Sequence, residues 1–323
     1  MLAKKKELGG KAEHETPYIH KSAFTVVDEK GTEIDLDKLK GIITKRPDHI
    51  LTQNSKLAKS GQNTYAFYNL TLPAYRGLWY DESAKEFKIV TTCPKAGMCS
   101  QICYARKGGY VQFPASFTFS AQVLNFLLND WHGFKTQLSN EIKQAADTNT
   151  KKGIITVVRW HDSGDFFNEK YLKIALDIAR DTPEVLHYAY TKSVGMVSGA
   201  NKPKNFVFNF SAGGKEDATI KKEDKKSIIV PKTIFKDLFP QKGAHTDLHV
   251  DITPPVLQAL RERISKAYSI PADNIITYKD LVNIPYDPRN PNIKPLYHVI
   301  VKPGDGDDAA LRRDVITTLL FIH

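Results

Sequence analysis

Cysteine is scarce in this chain, and the features that would send it to a membrane or out of the cell are missing. Only three cysteines occur in 323 residues, too few and too odd in number for the paired framework that staples small secreted domains. A chain of this length with 41% hydrophobic residues buries a full core without staples. No apolar run approaches the ~20 residues that span a bilayer, and the opening MLAKKKELGGKAEHE lacks the apolar stretch of a secretory signal. A soluble, cytoplasmic protein with no membrane partner is expected. Acidic excess is absent too. The 46 Lys+Arg against 36 Asp+Glu give a formal net charge of +10, a bias toward polyanions such as nucleic acid or anionic cofactors. Much of it stands in Lys4, Lys5 and Lys6 and in Lys221, Lys222, Lys225 and Lys226, clusters that read as solvated surface rather than a binding groove.

Residues 1–60 are polar and punctuated by Gly9-Gly10, Thr16-Pro17 and Arg46-Pro47; they read as an amino-terminal arm with one short strand at Ala23 to Val27. The remainder, 61–323, reads as a single α/β domain. Strands are expected at Tyr65 to Leu72, Glu86 to Thr92, Ile154 to Val158, Leu186 to Tyr190 and Asn205 to Phe210, with weaker ones at Ile228 to Val230 and Leu248 to Ile252. Phe117, Ala121, Leu124 and Leu128, then Phe134, Leu138 and Ile142, recur at helical spacing. Tyr171, Ile174, Ala175, Ile178 and Ala179 form another apolar stripe, and Thr253-Pro254 opens a further helix as N-cap and first helical proline. Strands alternating with helices imply a mostly parallel sheet, read here as a partial or irregular β/α barrel whose function collects at the carboxyl ends of the strands.

All three cysteines fall in TTCPKAGMCSQICYARKGGY, residues 91–110, as Cys93-x5-Cys99-x3-Cys103. The stretch is polar and glycine-rich, a loop rather than a core segment that would use cysteine as a small hydrophobe. Structural zinc takes four protein ligands and would have to borrow one from elsewhere. A cubane iron-sulfur cluster held by three thiolates leaves an iron for a non-cysteine ligand, a substrate or a cofactor. The absence of a fourth cysteine favours the 4Fe-4S reading, with zinc and a metal-free loop as alternatives.

A second concentration of chemistry is RWHDSGDFF, residues 159–167, at the end of the Ile154 to Val158 strand. His161, Asp162 and Asp165 around a glycine turn form a compact set for proton transfer, although His161 also reads as a hydrogen-bonded core histidine and Asp165 as a cap of the following helix. Lys192, at the end of the next strand, would meet a carboxylate or phosphate, or else lie on the surface. Gly213-Gly214 alone is too weak a signal for a phosphate cradle. Lys302-Pro-Gly-Asp-Gly-Asp-Asp308 lacks the ligand spacing of an EF-hand and reads as a solvated turn. Leu311-Arg312-Arg313-Asp314 after it reads as helix.

Cys99-Ser-Gln-Ile-Cys103-Tyr104-Ala105, the block from Val158 to Phe167 and Tyr188-Ala-Tyr-Thr-Lys192-Ser193 together resemble the bacteriophage family called gene product eighty-eight, over roughly residues 90–215. That resemblance implies a protein of the infected bacterial cytoplasm and brings no established activity. A more distant likeness is to radical S-adenosylmethionine enzymes, whose cysteines lie on the loop after the first strand of a partial barrel. Their usual spacing is three then two residues, and their aromatic residue precedes the last cysteine, where here Tyr104 follows it. The likeness implies S-adenosylmethionine as a cofactor, with Tyr104 beside the cluster and Ser163, Gly164 and Asp165 holding the cofactor's amino group. The expected function is thus an iron-sulfur protein, with an external reductant if it is redox-active and a small-molecule ligand at the open iron. A basic nucleic-acid-binding module, with Tyr65, Phe67 and Tyr68 as stacking platform, and a redox sensor are the alternatives.

Overall fold

The computed structural model describes residues 35–54, 57–61, 64–103, 105, 114–239, 252–290 and 292–321. The strand expected at Ala23 to Val27, the lysines at 4–6, Tyr104 and most of the Leu248 to Ile252 strand lie outside them. Ten strands are described: β1 (Tyr65–Asn69), β2 (Arg76–Asp81), β3 (Glu86–Thr91), β4 (Ile155–Trp160), β5 (Leu186–Thr191), β6 (Phe206–Ser211), β7 (Lys226–Val230), β8 (Ile275–Thr277), β9 (Tyr297–Val301) and β10 (Val315–Phe321). The helices that matter below are α1 (Leu36–Ile43), α2 (Cys99–Ile102), α3 (Pro114–Asn129), α4 (Trp131–Thr150), α5 (Glu169–Asp181), α6 (Val194–Ser198), α7 (Lys232–Phe235), α8 (Pro254–Tyr268), α9 (Tyr278–Val282) and α10 (Asp308–Leu311).

Eight strands form one sheet in the order β1-β4-β5-β6-β7-β10-β9-β8, and every pairing in it is parallel. The ends β1 and β8 do not pair with each other, so the sheet is an open, mostly parallel α/β sheet rather than a closed barrel. β2 and β3 make a separate antiparallel hairpin. From β4 to β7 the chain advances across the sheet in one direction; from β8 to β10 it returns in the other. Right-handed crossovers therefore place α9 and α10 on the opposite face, whereas α8 packs with Val230, Leu319 and Phe321 on the same face as α3 to α5. Val158, Trp160, Ala189, Phe206 and Phe208 pack into one core with residues of α3, α4 and α5, whereas Phe67, Val157 and Tyr188 on the other face meet Leu57, Ala310 and Leu311.

The sequence pattern explains these elements. α5 concentrates its buried residues Tyr171, Leu172, Ile174, Ala175, Ile178 and Ala179 on one stripe and is capped by Asn168, whose side chain accepts from Tyr171 N–H. Asp165 is therefore not the cap. Thr253 does precede α8 with Pro254 behind it, but its side chain makes no capping bond. β2, β8, β9 and β10 were not legible in advance. The helix expected across 311–314 ends at Leu311, and Arg312 leads into β10. The described end of the arm is tied to the body: Ile50 and Leu51 N–H groups donate to the Glu141 carboxylate, and Thr52 bridges Asn69. No helix among the described residues is long and apolar enough to cross a membrane.

His187, fully buried on β5, accepts from Trp160 Nε1 at 3.1 Å through Nδ1, so its Nε2 carries the hydrogen and donates to Thr182 Oγ1 at 3.0 Å; that hydroxyl donates to Ile178 O. Both ring nitrogens are committed to the neutral form, and burial pushes its pKa down to about 3. A depressed folded-state pKa means stability that is present above the unfolded value of about 6.5 and lost as pH falls. Between pH 6.5 and pH 5 His187 should cost the fold ~2 kcal/mol, at ~1.4 kcal/mol per unit. Urea unfolding at the two pH values should show this loss in the parent, and His187→Gln should remove it from the difference.

Candidate functional site

The cysteine loop leaves β3 and is bound across the carboxyl ends of β4 and β6. Thr92 O accepts from Asp165 N–H at 3.0 Å, Cys93 N–H donates to Tyr75 O, and Cys99 N–H donates to Gly213 O at 3.2 Å. Ala96 bridges Gly214 in antiparallel fashion, Lys215 N–H donates to Lys95 O, and Lys95 Nζ pairs with Glu216 at 2.6 Å. Glycine is required at this contact: a Cβ on Gly97 would stand 3.0 Å from Gly213 O and 3.1 Å from the Gly214 carbonyl carbon. The sequence signal of Gly97 and Gly214 is thus two loops pressed together, and that of Gly213 a left-handed backbone with φ 94°. Gly213 and Gly214 N–H groups are already taken by the two oxygens of Asp217, at 2.7 and 2.8 Å. The chain supplies its own anion there, and no phosphate cradle is formed.

Cys93, Cys99 and Cys103 are half-buried free thiols. Cys99 and Cys103 lie within hydrogen-bonding reach: the bond from Cys103 draws the Cys99 pKa down to about 6, helped by the Lys192 ammonium, and the same bond with burial drives Cys103 well up. Burial, with Asp165 adding to it, pushes Cys93 up to about 12. One sulfur is therefore poised as thiolate near neutral pH, the form that binds metal. Among the described residues no group of three or more His, Cys, Asp or Glu side chains converges as around a single metal ion.

Asp165 and Lys192 face this loop from β4 and β5. The Asp165 carboxylate is buried and accepts from Thr191 Oγ1 at 2.6 Å, Lys192 N–H at 2.9 Å and Phe166 N–H at 2.7 Å. Burial outweighs these bonds and raises its pKa to about 6. Lys192 is not a surface lysine. It is 7% exposed and its Nζ donates to Ser211 O, Ser211 Oγ and Ala212 O at 2.8, 2.9 and 2.8 Å, joining the ends of β5 and β6. Thr191, Ser211 and Asp217 belong to this constellation and were missed because single hydroxyls and a lone aspartate carry no spacing signal.

His161 and Asp162 turn to other partners, so the compact proton-transfer set expected from RWHDSGDFF is not assembled. His161, with φ 70°, shares a 3.0 Å hydrogen bond between Nε2 and Tyr171 OH, lies edge-on to Phe166, and leaves Nδ1 without a partner. Burial, with the Arg159 charge, lowers its pKa to about 3. Asp162 accepts from Asn69 Nδ2 at 2.9 Å and Asn54 Nδ2 at 3.4 Å. Ser163 is buried, and its carbonyl accepts from Leu72 N–H. Gly164 has φ 87°, and a Cβ there would stand 2.7 Å from Leu72 Cβ. Gly164→Ala should cost ~1–3 kcal/mol through the left-handed backbone and this contact, read as a lowered urea midpoint, and the double variant with Leu72→Gly, which removes the opposing Cβ, should cost less than the sum of the singles.

Two further expectations are corrected. The 302–308 stretch is a solvated turn only in its first half: residues 303–304 form a turn with Gly304 exposed, but residues 306–308 are buried, and Asp307, 2% exposed, holds Arg159 Nη1 at 2.7 Å and Tyr188 OH at 2.7 Å, with its N–H donating to Ser60 Oγ. Compositional reading misjudged it because Arg159 lies 148 residues away. In the aromatic segment of β1, Phe67 is core and Tyr68 OH accepts from Asn149 Nδ2.

A family model described as gene product 88 matches residues 49–272, more than half of the chain, including both the cysteine loop and RWHDSGDFF. The chain belongs to the gene product 88 family. The match begins at the segment tied to Glu141 and ends just before β8, so the family region carries β1 to β7 with the whole candidate site. No curated protein and no solved structure matches this gene product 88 chain.

Proposed function

We propose that this gene product 88 protein is an iron-sulfur protein in which Cys93, Cys99 and Cys103 hold a 4Fe-4S cluster with one iron open to a substrate or cofactor. The observation that carries the reading is the electrostatic coupling of all three thiols on one loop fixed over the carboxyl ends of β4 and β6. A cubane takes each thiolate at a different iron, so its ligands must ring a volume rather than meet at a point. Asp165 spends both oxygens on donors from its own framework and Lys192 has three acceptors, which supports a fourth iron position open to an exogenous group or held by another non-cysteine ligand.

When bound, the cluster would supply an electron or a Lewis-acidic iron. The chain's own residues fix the setting. Lys192 places positive charge beside Cys99 and favours its thiolate, Asp165 pins the β4 loop to β5, and Asp217 closes the glycine turn against which Cys99 rests. A finer version, reductive cleavage of S-adenosylmethionine, draws only on the distant likeness of the cysteine loop. Electron paramagnetic resonance of the anoxic, reduced protein tests both. A reduced-cluster signal that shifts when S-adenosylmethionine is added, with cleavage products, supports the finer version. A signal unmoved by it leaves the open-iron reading, and absence of any cluster signal from folded, reconstituted protein overturns the proposal.

A further inference from the structure

On the face of the sheet away from α3 to α5, and at the amino end of β1, a cavity of about 240 Å³ opens past Thr64 and Asn283. It lies at the other end of β1 from Asn69, apart from the cysteine loop. Two aromatic side chains, Tyr65 and Tyr286, line it together with Asp308 and Arg312. Its volume falls just under the roughly 300–1,000 Å³ of sites for drug-sized molecules, which suits a single small ring system.

The polar groups define the rest. Asp308 is buried, with one oxygen accepting from Gly61 N–H at 3.1 Å and the other from Tyr278 OH; a carboxylate accepts about four such bonds, so capacity for a donor remains. Arg312 directs Nε and Nη2 to the Asp314 carboxylate at 3.0 and 2.6 Å and both Nη1 hydrogens to the carbonyls of Leu281 and Ile284. That uses four of the five guanidinium N–H groups and leaves one Nη2 hydrogen for an acceptor. The guanidinium lies 4.6 Å from the centre of the Tyr286 ring, which holds it against the cavity wall. An anion would confront Asp308 and a cation would confront Arg312. A neutral molecule bearing a donor beside an acceptor satisfies both, and the aromatic walls favour a flat one.

We propose that this cavity binds a neutral planar heterocycle carrying an exocyclic amino group next to a ring acceptor, the pattern of adenine and cytosine, with the amino group on Asp308 and the ring acceptor on Arg312. The inference is independent of the cysteines. Isothermal titration of the full chain with adenosine, cytidine and uridine tests it. Adenosine or cytidine should bind saturably below about 1 mM, and uridine, which presents a carbonyl where cytidine has its amino group, at least about tenfold more weakly. Asn283→Trp, at the exposed rim, should abolish binding while moving the urea midpoint only slightly, since it removes one exposed bond, from Asn283 Nδ2 to Lys279 O at the end of α9. No saturable binding by any of the three nucleosides, equal binding of uridine, or binding undiminished by Asn283→Trp would overturn the proposal.

Discussion

Asp307→Ala should remove ~3–5 kcal/mol of stability, the cost of leaving a buried charge without its partner. Arg159 stands on β4, where it is 8% exposed; its Nε donates to His161 O and its Nη1 to Asp307, and its guanidinium lies 5.2 Å from the centre of the Tyr190 ring. Desolvation of that cation is offset in part by the Asp307 carboxylate, which also accepts from Tyr188 OH. Against a total of about 5–15 kcal/mol for a folded protein, the loss is about a fifth or more of what is there. The same argument predicts that Asp307→Leu combined with Arg159→Met is less damaging than the two single changes summed, because no unpaired charge is then buried. Urea unfolding of parent, singles and double gives the cycle, and additive losses would contradict the account of this pair. The carboxyl-terminal segment, outside the family match, would then be shown to lock the sheet that carries the site.

Cys99→Ser should abolish the visible chromophore of anoxically prepared protein while leaving the fold in place. The contacts that seat residue 99 are made by its main chain: its N–H donates to Gly213 O, and the neighbouring Ala96–Gly214 bridge and Lys95–Glu216 pair do not involve the thiol. Serine retains all of them and its hydroxyl still accepts from Cys103, so the free energy of unfolding should change by less than about 1 kcal/mol. Losing one of three thiolates removes a covalent anchor of the cluster, and absorption per chain should fall by about tenfold or more. Unchanged absorption would remove Cys99 from the ligand set, and loss of both colour and fold would show that the loop needs the thiol itself.

How much of this was legible depended on how local the determining interactions are. The stripe of α5, the buried run of β4 and the glycine-rich cysteine loop announce themselves by spacing, and the mostly parallel sheet follows from the alternation of strands and helices. β8 was missed because it has only three residues, whereas β2, β9 and β10 are as long as or nearly as long as the strands that were read and have no such explanation in length. His161 and Asp162 are adjacent in sequence yet take partners from separate segments, Tyr171 on α5 and Asn69 on β1. The left-handed backbone at His161 is part of the turn that separates them. Charge alone also misled at Lys192 and Asp307, polar residues whose partners hold them inside: nearby carbonyls for the lysine, a distant arginine for the aspartate. The glycines gave a true signal with a different meaning, since Gly97 and Gly214 serve a close approach between loops and Gly213 a left-handed turn.

Iron and acid-labile sulfide content per folded chain, measured on anoxically reconstituted and desalted protein, decides whether three thiols on one loop are a cluster site. The account predicts about four of each per chain, falling together in Cys93→Ser, Cys99→Ser and Cys103→Ser. Folded protein with negligible iron and sulfide, or with one zinc in their place, would contradict it.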